Sequence, residues 1–146
     1  MADLLPFEIF LQSQFVFSMA VVNHNKPYSA PCFYVFRPEA GELTFVSSPD
    51  TLHMQAAMTS DWVAGSVYRS TETVEEIQGV QFRGKLKVLS DREEQTARHR
   101  FTRRFPYPVP EGTKSWCLEL LWVKFTDNTR GFGFKEIWTR SGDGRF

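Results

Sequence analysis

The sequence is poor in the residues that cross-link chains or hold metals. Two cysteines, Cys32 and Cys117, stand far apart, and neither belongs to a Cys-x-x-Cys pair. That fits buried thiols in a reducing cytosol better than a disulfide scaffold. The three histidines, His24, His53 and His99, lie more than a helical turn from one another, so no metal site is expected. Long apolar runs are also missing. No window approaches the ~18 uninterrupted apolar residues of a membrane span. The apolar residues from Leu4 to Leu11 are broken by Glu8 and lack the basic start of a signal peptide. The expectation is a soluble, cytoplasmic protein. No Gly-x-Ser-x-Gly elbow, phosphate-binding Gly-Lys-Ser/Thr loop or glycine-rich dinucleotide fingerprint is present.

What the chain has in quantity is aromatic bulk: 14 Phe, 4 Trp and 4 Tyr in 146 residues. This argues against disorder, and the length suits one domain over residues 1–146, with a polar tail from about residue 140. The formal charge is zero, from 17 basic and 17 acidic residues, but the zero is a cancellation. Residues 1–82 hold three basic and nine acidic side chains, net −6; residues 83–146 hold fourteen and eight, net +6. From Arg83 to Arg104 there are eight basic and three acidic residues, net +5. Such a stretch is either a solvated face or an attractor of phosphate-bearing ligands.

Periodicity predicts a short helix over Leu4–Gln12 and a strand over Phe15–Val22. A turn at Asn23–Pro27 follows, then a strand over Tyr28–Phe36 in which Pro31 marks an edge or a bulge. Glu42–Ser47 reads as a third strand. Ser48 reads as the N-cap of a helix running to about Thr59, with Pro49 at its first position. Trp62–Tyr68 is a fourth strand. The next puts Val80, Phe82, Leu86 and Val88 on one face and Gln81, Arg83, Lys85 and Lys87 on the other. Ser90-Asp91-Arg92-Glu93 is a capping box, opening a helix whose stripe is Ala97, Phe101 and Phe105 and which stops before Pro106. Trp116, Leu118, Leu120 and Trp122 alternate along a sixth strand, and Gly131–Thr139 makes a seventh, its glycines permitting a bend. The fold class expected is mainly β, a small antiparallel barrel of six or seven strands with two or three helices covering its open end and flank.

Two places carry candidate chemistry. Ser47, Ser48 and Thr51 offer hydroxyls beside a helix start, with His53 close by. The arrangement serves either simple capping or a phosphate, and Asp50 in the same turn opposes an anion. The polar strand face of Gln81, Arg83 and Lys85, continued by Arg98, Arg100, Arg103 and Arg104, is the second.

The order of segments Pro27–Phe36, Glu42–Ser48, Thr51–Met54 and Asp61–Ala64 resembles the pyridoxamine-5′-phosphate-oxidase-like, FMN-binding split-barrel superfamily. Gly79–Gly84, Arg103–Pro106 and Lys124–Gly133 are similar to its YhbP-like branch of bacterial proteins. The resemblance covers nearly the whole chain. It implies a six- to seven-stranded antiparallel split barrel forming a homodimer, with FMN at the subunit interface. Ser47 falls where a Ser/Thr contacts the cofactor, and Thr51 and His53 fall on a Ser-x-Lys step that holds the phosphate. His53 departs from that lysine. An amide that meets the flavin ring falls at Gly79, with Gln81 as a substitute on the same strand. No equivalent of the pyridoxal-phosphate-binding residues is found, so the oxidase activity is not transferred.

The leading expectation is an FMN-dependent oxidoreductase acting on a small-molecule substrate, with Tyr34, Gln81 and Arg83 near the ring and Trp138 stacking on it. The alternative is a non-catalytic binder of flavin or haem, with His53 or His24 as an axial ligand. Nucleic-acid association through the basic helix is a weaker third reading. Because His53 is mostly uncharged at neutral pH, Arg83 and Lys85 are expected to supply the positive charge that attracts the anionic ligand.

Overall fold

The computed structural model of the chain describes residues 3–60 and 62–141. The first residue of the Asp61–Ala64 segment and most of the polar tail lie outside that range. Helix α1 (Pro6–Ser13) leads into strands β1 (Val16–Asn23), β2 (Lys26–Phe33), β3 (Val35–Arg37) and β4 (Glu42–Ser47). Helix α2 (Leu52–Ser60), strands β5 (Trp62–Tyr68) and β6 (Gln78–Leu86), helix α3 (Asp91–Arg104) and strands β7 (Lys114–Asp127) and β8 (Lys135–Thr139) complete it. Every pairing is antiparallel, in the order β2-β1-β5-β6-β7-β4-β3, with β8 also on β7.

The expected seven strands become eight because Tyr28–Phe36 divides at Tyr34. Residues before it pair with β1, and residues after it pair with β4. One continuous chain therefore passes from one end of the sheet to the other and curls it into a half-barrel. Tyr34 fixes the crossing: its N–H donates to the Phe15 carbonyl (2.9 Å) and its hydroxyl to the Leu11 carbonyl at the end of α1 (2.7 Å). Pro31 sits in β2, which ends the sheet path, where a missing N–H costs no ladder bond.

The barrel interior is aromatic. Phe17 lies 5.4 Å from Phe45, 6.0 Å from Tyr34 and 6.0 Å from Phe82, centroid to centroid. Phe10 of α1 closes one end of the core against Phe125.

Three expectations are corrected. β6 stops at Leu86, so Val88 is not on the inner face; it lies in the link to α3 and is 98% exposed. The alternation of Trp116, Leu118, Leu120 and Trp122 breaks because β7 carries a bulge: Gly84 pairs with Leu120 but Arg83 with Trp122, leaving Leu121 over. Beyond it Val123 and Phe125 face the core, and Trp122 does not. Gly131 and Gly133 precede β8 rather than bending it. With φ of +124° and +80° they form the turn that returns the chain.

Helix α3 begins as its sequence predicts. Glu93 N–H donates to Ser90 Oγ (3.2 Å) and Ser90 N–H donates to Glu93 Oε1 (3.0 Å), closing the capping box.

Candidate functional site

The polar turn between β4 and α2 gathers Ser47, Ser48, Thr51 and His53, all half-buried. The helix starts three residues later than the sequence suggests, and Thr51 rather than Ser48 caps it. The Met54 N–H donates to Thr51 Oγ1 (3.3 Å), and Thr51 Oγ1 donates to the Ser48 carbonyl (2.9 Å). Ser48 Oγ instead accepts from the Asp50 N–H (3.2 Å). Displacing the cap leaves Ser47 at the last position of β4, where its hydroxyl meets His53 Nε2 at 2.9 Å. Thr51 Oγ1 is 3.4 Å from the same nitrogen. Trp116, across the ladder from Phe45, anchors the strand end by donating its indole N–H to the Ser47 carbonyl (2.9 Å).

The turn therefore presents hydroxyls, one imidazole, and the N–H groups of Leu52 and His53, which stand in a first helical turn without intrahelical acceptors. Burial pulls the His53 pKa below its ordinary value. At neutral pH its imidazole is uncharged, and the turn can bind an oxyanion by hydrogen bonding without a cation of its own. Asp50, exposed in the same turn, opposes an anion there.

Gln81, Arg83 and Lys85 lie on the outer face of β6. Gln81 and Arg83 are exposed and Lys85 is half-buried. The Arg83 guanidinium stands 5.6 Å from the Trp122 ring and the Lys85 ammonium 4.6 Å from the Trp62 ring. A shallow groove of about 480 Å³ runs beside Arg83, lined by Val22, Ser60, Trp62 and Ala64. This cationic aromatic face is not in contact with the Ser47 turn. Lys85 pairs with Glu119, whose other neighbour is Glu42, the residue at the opposite end of β4 from Ser47. The two ends of that six-residue strand are about 17 Å apart.

Tyr34 and Trp138 are elsewhere again. Tyr34 is fully buried in the core. Trp138 lies at the other end of the barrel, 5.6 Å from Phe7, with the Arg140 guanidinium 5.7 Å from its ring. Of the nine residues singled out, four converge on one turn, three share the β6 face, and Tyr34 and Trp138 join neither group.

One charged centre was not anticipated. Glu42 is 1% exposed, and its carboxylate accepts from Arg37 Nη1 (3.1 Å) and Lys87 Nζ (2.9 Å). A glutamate opening an alternating strand reads as solvent-facing, and the cover that buries it, α3, comes about fifty residues later in the sequence. Both cysteines are free and buried, and burial pushes the Cys32 thiol up to about 11. No group of three or more metal-ligating side chains occurs among the described residues.

Comparison with known proteins places this architecture. Residues 8–118 match the family model for pyridoxamine 5′-phosphate oxidase. The chain belongs to the pyridoxamine 5′-phosphate oxidase family. A UPF0306 protein of Yersinia pestis is 36% identical to this family member over 138 residues, 94% of each chain. Among solved structures, a haem-binding protein from Mycobacterium smegmatis superposes with a TM-score of 0.69 at 14% identity, covering 92% of this chain and 57% of that one. This family member thus spans less than two thirds of the length of that structure. An FAD-binding protein from Mesorhizobium loti superposes with a TM-score of 0.60 at 15% identity, over 82% of this chain and 92% of its own. These likenesses establish the split-barrel fold. No helix among the described residues is long and apolar enough to cross a membrane.

Proposed function

We propose that the protein binds FMN and acts as an oxidoreductase on a small substrate. The observation that carries this reading is the Ser47–Thr51–His53 cluster, hydroxyls and an uncharged imidazole held at the start of α2. That donor set fits a phosphate monoester: Ser47 and Thr51 offer hydroxyls, and Leu52 and His53 offer first-turn N–H groups. In a family whose fold neighbours include a haem-binding and an FAD-binding protein, a phosphate-bearing flavin is the ligand this turn suits best. Bound flavin would supply the two-electron chemistry; the protein supplies binding, orientation and electrostatics.

The turn itself carries no cation; Lys114 stands across the ladder from Ser47, and the cations held over tryptophan rings, Arg83 and Lys85, are on another face of the same protomer. A homodimer answers this if the Ser47 turn of one copy meets the β6 face of its partner. Exposed apolar side chains near that face, Trp62 at 41%, Val22 at 60% and Tyr68 at 68%, support burial against a second copy.

Titrating the purified protein with FMN, followed by quenching of flavin fluorescence, tests the reading. The expected result is stoichiometric uptake, weakened about tenfold by Thr51→Ala, the effect of about 1.4 kcal/mol for one or two lost hydrogen bonds. Arg83→Gln with Lys85→Gln should weaken it in a salt-dependent way. A colourless protein that quenches no FMN overturns the proposal. A Soret band on haem addition, without flavin uptake, would transfer the site to the haem alternative.

A further inference from the structure

Helix α3 covers the outer face of β4 and β7 with a single buried apolar residue, Ala97. Its attachment there is polar instead. Arg100 Nη1 donates to Thr44 Oγ1 (2.8 Å), Arg98 Nη2 donates to the Thr113 carbonyl (2.8 Å), and Glu94 Oε1 accepts from the Ser115 N–H (2.9 Å). Where helix and sheet do not meet, a pocket of about 300 Å³ remains, floored by Glu42 and Cys117 and walled by Arg37, Lys87, Arg92 and Arg100. That volume is at the lower end of small-ligand sites.

The charges around this pocket do not cancel. Glu42 already holds both Arg37 and Lys87. Glu93, also in the wall, is committed to the capping box, its Oε1 accepting from the Ser90 N–H. Glu39, 66% exposed and outside the pocket lining, pairs with Arg37, and its charge is also felt by Arg100. Two guanidinium groups are left over. The Arg92 guanidinium has no ion pair or hydrogen bond among the described residues, and the Arg100 guanidinium meets the neutral hydroxyl of Thr44. Each presents donors in the fork geometry that matches phosphate or carboxylate oxygens.

We propose that this pocket binds a small multivalent anion, with Arg92 and Arg100 as its chief ligands. The occupant is a compact polyanion such as a phosphate ester or a polycarboxylate. Bound there, it bridges Arg92 and Arg100 of α3 to Arg37 and Lys87, the cations that sit on Glu42, and clamps the helix to the sheet. Lys87 lies beyond the end of β6 at Leu86, so the site shares no residue with that strand or with the Ser47 turn, and it stands whether or not the protein binds flavin.

Isothermal titration and thermal unfolding with inorganic pyrophosphate and with citrate, at constant ionic strength, test it. The expected result is one site per chain and a rise in Tm with at least one of the two anions. Arg92→Ala and Arg100→Met should each cut affinity about tenfold or more, and Thr51→Ala should leave it unchanged. Arg92 is exposed and unpaired, so Arg92→Ala reports on binding even if Arg100→Met loosens the helix. Whichever of pyrophosphate and citrate binds more tightly identifies the phosphate or carboxylate source. Absence of heat and of any Tm shift at millimolar anion overturns the proposal. So does binding that survives Arg92→Ala, or binding that Thr51→Ala abolishes.

Discussion

Lys87→Met removes one of two cations from a carboxylate that water cannot reach. The Glu42 side chain is 2% exposed, with Lys87 Nζ 2.9 Å from one oxygen and Arg37 Nη1 3.1 Å from the other. The hydrogen bond to Glu42 is the main cause of an upward shift in the Lys87 pKa, larger than the opposing effect of burial. Stripping a fully buried ion of its partner costs about 3–5 kcal/mol. Here the loss is smaller, because Arg37 remains and the Lys87 side chain is 36% exposed, so the expected cost is about 1–3 kcal/mol. For a chain of this length a loss of 2 kcal/mol lowers Tm by about 4–8 °C. Urea denaturation followed by tryptophan fluorescence measures the loss directly. Glu42→Gln provides the control: it keeps the shape and leaves two half-exposed cations that water can solvate. The double variant Lys87→Met with Glu42→Gln should therefore cost less than the sum of the singles, with a coupling of about 1 kcal/mol or more. Added salt should barely change the coupling, because the carboxylate is screened by protein rather than by ions. A Lys87→Met protein within about 0.5 kcal/mol of wild type, with unchanged m, would refute the reasoning.

Two further outcomes follow from single positions. An ideal Cβ at Gly84 would collide with the Glu119 carbonyl oxygen beside the β7 bulge, so Gly84→Ala should destabilise by about 1–3 kcal/mol; a neutral substitution in chemical denaturation would show that the bulge relaxes freely. Burial holds the His53 pKa below its ordinary value of 6.5, so the unfolded chain binds a proton that the folded chain refuses over the window just below 6.5. Stability should rise with pH through that window and fall as the solution is acidified, and His53→Gln should flatten this part of the pH–stability curve. An unchanged curve would exclude His53 as its source.

How much of this was legible in the sequence depends on whether the decisive contact is local. The capping box at Ser90 and Glu93 spans four residues and forms as read. The Ser47–His53 cluster spans seven residues, and its members converge even though the helix starts three residues later than its sequence suggests. The error there arose because Ser48 and Pro49 satisfy the pattern of an N-cap and first position as well as Thr51 and Leu52 do, and only the Met54 N–H chooses between them. Non-local facts were not legible. Leu121 is displaced from the ladder by the close approach of Gly84 to the Glu119 backbone, a contact between strands some 35 residues apart in the sequence. Arg83 and Lys85 share a helix-flanking basic stretch with Arg100, yet the sheet order puts them on separate faces. β4 was the most misleading element. Glu42-Leu43-Thr44-Phe45 alternates polar and apolar and reads as half-exposed, while all four are buried, because α3 covers the polar face as the barrel core covers the other.

The charge asymmetry gains a spatial meaning from this. An acidic first part and a basic second part could have cancelled by pairing across the fold. Among the described ion pairs, Arg37–Glu39, Arg37–Glu42 and Arg69–Glu76 stay within the first part, and Arg98–Glu94, Arg130–Asp127 and Arg140–Glu119 stay within the second. Only Lys87–Glu42 joins the two. The positive excess of residues 83–104 is thus not neutralised internally. It is displayed in two places, over aromatic rings on the β6 face and around the α3 pocket. Arg83 and Lys85 held over tryptophan rings, and Arg92 and Arg100 at the wall of a cavity that already contains two paired cations, keep their mutual repulsion unless an anion relieves it. A flavin phosphate at the first and a compact anion at the second, as proposed above, would each relieve that repulsion.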